Sequence, residues 1–360
     1  MTDPLGTVPS SAPADGGTVR YPLDPPPPSD PTRSTPAVPR RRLVDGFTDG
    51  AFAYRARRLA GTVVRLLLTV LGLLTLLFFL VRLSGDPAAV LAGTSASAEQ
   101  LEAIRVQLGL DAPLLQQYVA FLGDVVRLDF GVSIFSQLDA MDLVLEKLPA
   151  TVLLTVTTVV LALVCGIPAG VTLARGPRPV KVLLDIVITL FQAVPPFVLG
   201  VLLVWWFAVK AGVLPAFGSG SFDTVILPTL TLAAFTIARI ARMLCAELEA
   251  GVDSDHLRTA LAKGASRRRV LWRHALPNAF PPVAAMLVVE ISYLLSGAVV
   301  VEVLFSYNGI GKLLVDSVFA RDYPLVQACV FVIGMLVVVV NVVGELLMTR
   351  LDPRTTREGA

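Results

Sequence analysis

The fold class is decided by the stretch Ala150-Thr-Val-Leu-Leu-Thr-Val-Thr-Thr-Val-Val-Leu-Ala-Leu-Val-Cys-Gly-Ile-Pro-Ala-Gly-Val-Thr-Leu173. It contains no charged residue, and it meets the roughly 20 residues that an α-helix needs to cross the hydrocarbon of a bilayer. It lacks the apolar and polar alternation of a membrane β-barrel strand. Because a helix satisfies its backbone hydrogen bonds within one segment, the stretch predicts a transmembrane helix.

Five other apolar segments have the same character. They run from about 59 to 81, 182 to 209, 225 to 244, 282 to 304 and 325 to 348. The third of the six segments is interrupted by Val194-Pro-Pro-Phe197, where two successive prolines remove backbone donors and bend a helix. The sequence therefore predicts an all-α membrane protein with six transmembrane helices.

The composition agrees with a lipid environment. Of the 360 residues, 54% are hydrophobic and 16% charged, and the mean hydropathy is +0.72. A soluble domain has about a quarter of its residues charged. The net charge of +2 is too small to indicate a nucleic-acid partner. Cys165, Cys245 and Cys329 lack metal-ligand spacing, so we expect small buried hydrophobes and no metal site.

Basic residues gather in alternate loops, which predicts the orientation of the chain. They are Arg40, Arg41, Arg42, Arg55, Arg57 and Arg58 before the first segment, Arg175, Arg178 and Lys181 after the second, Arg258, Lys263, Arg267, Arg268, Arg269 and Arg273 after the fourth, and Arg350, Arg354 and Arg357 after the sixth. The long loop after the first segment instead holds nine acidic residues between Asp86 and Glu146. By the positive-inside rule, both termini are expected in the cytoplasm.

Composition divides the chain into four parts. Residues 1–50 contain eleven prolines between Pro4 and Pro39, which predicts a disordered cytoplasmic tail. Residues 51–148 are expected to hold the first transmembrane helix and an extracytoplasmic loop with one or two short amphipathic helices, because Asp111 to Gly123 has apolar residues at helical spacing. Residues 149–350 form the five-helix membrane core, with a cytoplasmic loop at 250–280, and residues 351–360 form a second cytoplasmic tail.

The loop at 250–280 is the most informative part of the chain. Within it, Ser254-Asp-His-Leu-Arg-Thr-Ala-Leu-Ala-Lys-Gly264 predicts a short helix capped by Ser254 or Asp253. Leu257, Ala260 and Leu261 share one face, and Gly264 supplies the left-handed residue that ends the helix. A second helix is expected to begin at Ser266 and to be closed off by Pro277 from the span that follows.

Two interpretations of this short helix remain open on shape alone. A small apolar face beside cations suits docking in a groove on another protein. The same face and charges also suit a helix resting on anionic lipid.

The loop resembles the EAA loop of binding-protein-dependent ABC importers, whose pattern is E-A-A, three residues, G, then I-x-L-P. Thr259-Ala260, Gly264 and Leu276-Pro277 match this pattern, with Thr259 in place of the first acid and His274 in place of the isoleucine. The variant Arg258-Thr-Ala-Leu-Ala-Lys-Gly264 looks like the dipeptide, oligopeptide and nickel branch, and specifically its B-type subunit.

Further motifs of the same branch follow one another from about residue 58 to the end. They are Gly85-Asp-Pro87, Leu108-Gly-Leu-Asp111, Asp129-Phe-Gly131, Gly166-Ile-Pro168, Leu227-Pro-Thr-Leu230, Glu302-Val-Leu-Phe305, Gly309-Ile-Gly311, Arg321-Asp-Tyr-Pro324 and Leu351-Asp-Pro-Arg354. Each is short, but their order and spacing together are specific. Asn308 stands where the branch usually has proline.

The resemblance implies a type I ABC importer permease fold in the bacterial cytoplasmic (inner) membrane. It also implies a homologous second permease subunit, two ATP-binding subunits that carry ATP and Mg, and an extracytoplasmic substrate-binding lipoprotein. The chain itself is then no enzyme and holds no cofactor. Its ATPase-coupling residues would be His256, Leu257, Arg258, Thr259, Ala260, Leu261, Lys263, Gly264, Leu276 and Pro277. Small peptides are the expected substrate, with nickel, haem and glutathione as alternatives carried by the same branch.

Polar residues at membrane depth are expected to face protein or water, because lipid solvates them poorly. They are candidates for a translocation path, and interhelical hydrogen bonds are the alternative. The candidates are Gln192, Glu290, Glu302 and Asn341. An outer loop or gate is expected at Asn308, Gly309, Gly311, Arg321 and Asp322.

Motifs for chemistry on this chain are missing from the sequence. Gly309-Ile-Gly311-Lys312 is followed by Leu313 where a phosphate loop needs Ser or Thr, and no GxSxG or HExxH occurs. A secondary transporter or channel and an intramembrane enzyme are the rival functions. The first needs an ion relay without an ATPase partner, and the second needs a nucleophile and base or a metal.

Overall fold

The computed structural model describes residues 60–79, 97–107, 111–251 and 254–351, and within them all the extended elements are helices joined by turns and loops. The helices are α1 (Ala60–Phe79), α2 (Ala98–Gln107), α3 (Leu114–Arg127), α4 (Ala140–Arg175), α5 (Arg178–Ala193), α6 (Pro196–Lys210), α7 (Phe222–Ala250), α8 (Asp255–Ala262), α9 (Arg267–Ser296), α10 (Val299–Leu304), α11 (Ile310–Ala320) and α12 (Tyr323–Leu351). The predictions for residues 1–50, Gly85-Asp-Pro87, residues 108–110 and residues 352–360 lie outside the described ranges.

Within those ranges, five helices are long and apolar enough to cross a membrane: α1, α4, α7, α9 and α12. Helices α5 and α6 pass the same test as a pair, which bends by 105° between Ala193 and Pro196. The bend falls at Val194-Pro195, where the backbone is extended and Pro196 starts the next helix. Counting the pair as one crossing gives the six spans that the sequence predicts.

Helices α4 and α7 pack side by side and run in the same direction. The hydroxyl groups of Thr157 and Thr229 lie 2.9 Å apart. Further along both helices, Gly170 lies so close to Leu244 that an added Cβ would come within 2.9 Å of the leucine Cβ. Because these contacts advance together along the two helices, the chain between them must return from one end of the bundle to the other.

The bent pair α5–α6 makes this return. At one end, Lys181 Nζ donates 2.8 Å to the Ala174 carbonyl at the end of α4. At the other end, the N–H of Gly218 donates 3.0 Å to the Phe305 carbonyl, and the Tyr307 hydroxyl donates 3.1 Å to the Ala150 carbonyl. The pair is therefore a crossing despite its bend. We call the end that carries Lys181 and α8 the basic end, and the other the distal end.

Helix α9 differs from the prediction at both of its ends. It passes through Pro277 without a break, so the expected stop at Pro277 was wrong. A π-helical turn, Leu271–Ala275, precedes the proline, and the Leu276 N–H donates to the Leu271 carbonyl five residues back. This wider turn leaves room for the proline ring, which would clash in a regular α-helix. The span also ends at Ser296 instead of about 304, which puts Glu302 in the separate helix α10.

The helix predicted in the loop after the first span is present as α3, and it packs on the distal end of α1. The Thr75 and Tyr118 hydroxyl groups lie 2.7 Å apart. Phe78 is fully buried, with ring centroids 5.3 Å from Tyr118 and 5.2 Å from Phe121. These aromatic contacts fix the position of the loop on the bundle.

Candidate coupling loop and buried polar contacts

Helix α8 stands at the basic end between α7 and α9, and its two ends are built differently. Ser254 occupies the N-cap position, but its hydroxyl donates 2.6 Å to the Gly251 carbonyl and does not cap the helix N–H groups. At the other end Gly264 has φ +83°, and its N–H donates 2.9 Å to the Leu261 carbonyl. The left-handed conformation that the sequence predicts at Gly264 is therefore confirmed.

One side of α8 is anchored to the bundle and the other is free of it. Leu257 is 5% exposed and packs in a buried cluster with Leu244, Leu248 and Val270. One turn later, Leu261 is 46% exposed. Arg258, Thr259 and Lys263 are also exposed, while Ala260 is half-buried. The helix is thus held by Leu257 while it presents a short outer surface.

The remaining predicted coupling residues occupy different positions. The side chain of His256 lies outside the described residues. Leu276 lies inside α9 and packs against the same buried cluster as Leu257, whereas Pro277 is exposed. Ser266 begins α9 as predicted, and its hydroxyl accepts from the Arg269 N–H at 3.4 Å. The exposed Arg267, Arg268 and Arg269 make this surface strongly positive.

Glu302 is the centre of a buried network at the distal end. Its side chain is fully buried, and Oε1 accepts from the Thr151 hydroxyl at 2.7 Å while Oε2 accepts from the Lys312 N–H at 3.0 Å. The Thr151 hydroxyl oxygen in turn accepts from the Ile310 N–H at 2.9 Å. Carboxylate and hydroxyl thereby satisfy the first N–H groups of α11, whose positive dipole end favours an anion. This arrangement makes Glu302 an anchor for α11.

At two glycines of the predicted outer gate, the Glu302 carboxylate leaves no space for a side chain. A Cβ on Gly309 would overlap both Glu302 oxygens, and a Cβ on Gly311 would come 3.0 Å from Oε2 and 2.8 Å from the Val299 Cα. Asn308, just before them, is exposed. The motifs around Glu302 and around Gly309 are therefore one structural unit. Sequence reasoning missed Thr151, since nothing in its surroundings within α4 marks it as the partner of a residue in α10.

Asp322 belongs to a second buried contact at the distal end. Its side chain is buried, and it accepts a 2.5 Å hydrogen bond from the Ser133 hydroxyl. Arg321 beside it is exposed, and its backbone at φ +59° ends α11. Phe130 packs on Phe331 with ring centroids 5.2 Å apart. These contacts join the loop before α4 to the start of α12.

Glu290 pairs with an arginine inside the bundle. Its side chain is fully buried; Oε2 accepts from Arg239 NH1 at 2.6 Å and Oε1 accepts from the Thr236 hydroxyl at 3.3 Å. The Arg239 side chain is 37% exposed, and its guanidinium lies 5.9 Å from the Phe235 ring centroid. The pair joins α7 to α9, and it buries the Glu290 carboxylate completely.

The other two predicted path residues, Asn341 and Gln192, lie nearer the helix surfaces than Glu290 and Glu302. Asn341 Nδ2 donates 3.0 Å to the Ser292 hydroxyl and 2.8 Å to its own helix at Val337, which links α12 to α9. Gln192 is half-buried in the last turn of α5.

Arg242 donates to Asp185 at 3.2 Å and to Thr189 at 2.6 Å, in a cleft of about 450 Å³ at the basic end. In the part of the chain that the structure describes, no group of three His, Cys, Asp or Glu residues could hold a metal.

Comparison with known proteins identifies the family. Residues 166–357 match the model of the binding-protein-dependent transport system inner membrane component, and residues 51–155 match the N-terminal model of a binding-protein-dependent transport system membrane component. The chain is 37% identical over 302 residues to the glutathione transport system permease protein GsiC of Escherichia coli strain K12, covering 83% of this chain and 97% of the relative. The same identity and coverage relate it to GsiC of Shigella flexneri serotype 5b.

A solved structure agrees at the level of the fold. A chain of the MetNI methionine ABC transporter in an inward-facing conformation superposes with a TM-score of 0.50 at 17% identity, covering 58% of this chain and 96% of that one. The chain therefore belongs to the family of binding-protein-dependent transport system inner membrane components: it is a permease subunit of an ABC importer, which acts with a substrate-binding protein and with partner subunits that hydrolyse ATP.

Proposed function

We propose that this permease imports small peptides across the bacterial cytoplasmic membrane. The observation that carries this substrate class is the 37% identity, over nearly the whole relative, to a permease named for glutathione transport. Glutathione is itself a tripeptide, so the named solute of the relative falls within the proposed class. Glutathione as the specific solute is the second candidate, favoured by the same identity.

The proposed assembly contains this chain, a homologous second permease, two ATP-binding subunits that hold ATP and Mg²⁺, and an extracytoplasmic substrate-binding lipoprotein. Both termini lie in the cytoplasm in this proposal, because the basic end carries Arg175, Lys181 and the exposed arginines of α9. The basic end therefore faces the ATP-binding subunits, and the distal end faces the lipoprotein.

Helix α8 is the proposed connection to ATP hydrolysis. Its exposed surface consists of Leu261 beside Arg258, Thr259 and Lys263, a short face with one large apolar side chain and two cations that suits a groove on a partner protein. Leu257 belongs to one buried cluster with residues of α7 and α9. A displacement of α8 by the ATP-binding subunits would therefore move the two helices together, which opens the bundle to one side or the other.

Uptake by cells with and without this chain tests the substrate class. Labelled dipeptide, tetrapeptide, glutathione, nickel and haem are measured in parallel. We expect the loss of the chain to abolish peptide uptake, with glutathione among the peptides, and to leave nickel and haem unchanged. Loss of nickel or haem uptake with peptide uptake intact would overturn the substrate class, and it would leave the family assignment standing.

A further inference from the structure

Arg239 is a charged residue within the apolar part of α7, and its guanidinium is not enclosed by the chain. At 1.5 Å per helical residue, it lies about 21 Å from the start of the apolar segment 225–244 and about 7.5 Å from its basic end. Its side chain is nevertheless 37% exposed. Lipid hydrocarbon is a poor environment for an arginine. The exposed part of the guanidinium therefore faces water or another protein within the assembly.

The surroundings of Arg239 hold the guanidinium in place and leave much of it available. Glu290 is fully buried, and its Oε2 accepts a hydrogen bond from Arg239 NH1. The other oxygen of the same carboxylate accepts from the Thr236 hydroxyl. Phe235 flanks the guanidinium at 5.9 Å. An arginine has five N–H donors, and a single one of them contacts Glu290, so the others can bind a second anion. Glu290 itself cannot touch a solute, because its side chain has no exposed surface.

We propose that Arg239 binds the C-terminal carboxylate of the peptide during its passage, and that Glu290 is the residue that positions the guanidinium. This inference rests on the proposed peptide substrate. Every peptide with a free C-terminus carries that carboxylate whatever its side chains are, so one fixed arginine recognises the whole class. Arginine and carboxylate form paired, charge-assisted hydrogen bonds, which are strong in a site shielded from bulk water.

A comparison of free-acid and C-terminally amidated peptides tests the proposal. The complete complex, with its partner subunits and binding protein, is reconstituted in liposomes and given each peptide over a range of concentrations, so that subsaturating uptake, KM and maximal uptake are all measured. The measured quantity is the ratio of acid uptake to amide uptake in a variant, divided by the same ratio in the unmodified complex. Any preference of the binding protein cancels in this quotient.

The variant that removes the site is Arg239→Gln combined with Glu290→Gln, which leaves no buried carboxylate without a partner. We expect the quotient to fall at least about tenfold, because hydrogen bonds to a charged group are lost for the acid alone. Glu290→Gln by itself keeps the guanidinium but loosens it, so we expect a higher KM for the acid at nearly unchanged maximal uptake. Arg242→Gln, which removes the next arginine of α7 and its pair with Asp185, is the matched control and should leave the quotient at one.

Equal losses of acid and amide uptake in the double variant would overturn the proposal, since Arg239 would then serve the assembly by pairing with a neighbouring subunit. If peptide import itself is the wrong function, the experiment gives a different result. If the unmodified complex carries a solute without a carboxylate and no peptide, both proposals are wrong. If it carries glutathione alone among peptides, the quotient is measured with glutathione and its amides, and the same two outcomes decide.

Discussion

The Ser133 hydroxyl donates a 2.5 Å hydrogen bond to the Asp322 carboxylate and so joins residues 189 positions apart. Both side chains are buried. Asp322 also precedes α12, where the Leu325 N–H approaches its Oδ1 at 3.5 Å. The loop that follows α3 is thereby attached to the start of the last span, on the side of the protein that we propose meets the binding protein.

Separate and combined alanine substitutions of Ser133 and Asp322 should show strong coupling. We expect each single change to lower stability by about 1.5–3 kcal/mol, because each breaks a buried hydrogen bond to a charged group. The double-mutant cycle should give at least about 1 kcal/mol of coupling. Thermal unfolding of the purified protein in detergent measures these changes. The same cycle on the exposed Lys312–Asp316 pair is the control and should give about 0.3–0.5 kcal/mol; equal coupling in the two cycles would contradict the prediction.

Replacement of Gly264 by valine should uncouple transport without unfolding the bundle. An added Cβ meets no atom within 4 Å, so the obstacle is the φ of +83°. A left-handed conformation costs a side chain about 1–2 kcal/mol, and a β-branched residue more. We expect Gly264→Val to lose most uptake and binding-protein-stimulated ATP hydrolysis, with normal amounts of the chain in the membrane. Asparagine, which tolerates this conformation, should retain most of both activities.

Gly212 provides the control for this experiment. It has φ +64° and equally open space, but it lies in the connection between α6 and α7. Gly212→Val should therefore carry a similar backbone cost while ATP hydrolysis stays coupled to uptake. If Gly264→Val and Gly212→Val behave alike, the turn after α8 has no special part in coupling.

Alanine substitutions of Leu257 and Leu261 should have different effects, the first on the stability of the chain and the second on binding of the ATP-binding subunits. Leu257→Ala removes a buried side chain from the cluster with Leu244 and Leu248, so we expect about 2–4 kcal/mol of lost stability and a lower unfolding temperature. Leu261→Ala should leave the unfolding temperature unchanged but weaken co-purification of the ATP-binding subunits. Thermal unfolding of the isolated chain and pull-down of the complex measure the two effects. A pull-down that is insensitive to Leu261→Ala would count against the docking surface.

Gly309→Ala should be strongly destabilising despite its small size. The new methyl group would overlap the Glu302 carboxylate, which would have to leave the Thr151 hydroxyl or the Lys312 N–H. We expect a loss of about 2–3 kcal/mol, at the upper end of the cost of overpacking a core. Gly123→Ala in α3 is the matched control, because its Cβ meets open space; it should gain up to about 1 kcal/mol of helix propensity. Limited proteolysis and thermal unfolding distinguish the two variants. Similar behaviour of both would contradict the prediction, because the Glu302 carboxylate would then move aside at little cost in stability.

Much of the fold could be predicted because its determinants are local. A run such as Ala150 to Leu173 is apolar enough to require lipid and long enough to cross it, whatever surrounds it. The positive φ at Gly264 and the capping hydroxyl of Ser266 depend on a few neighbouring residues. The continuation of α9 through Pro277 was missed because the π-helical turn that relieves the proline is not marked by any single residue type.

The order of residues along the chain was enough to predict an all-helical membrane permease and the position of the short helix α8, but it placed Glu302 inside the fifth span, whereas the structure puts it in the separate helix α10. Only the tertiary structure decided the partners of the buried acidic residues: Thr151 for Glu302, Ser133 for Asp322 and Arg239 for Glu290. The physical reason is that a hydrophobic run acts through its own length and composition, whereas a hydrogen bond requires two atoms within about 3 Å. That distance is set by how α4, α7 and α9 pack, and the packing depends on many contacts far apart in the chain.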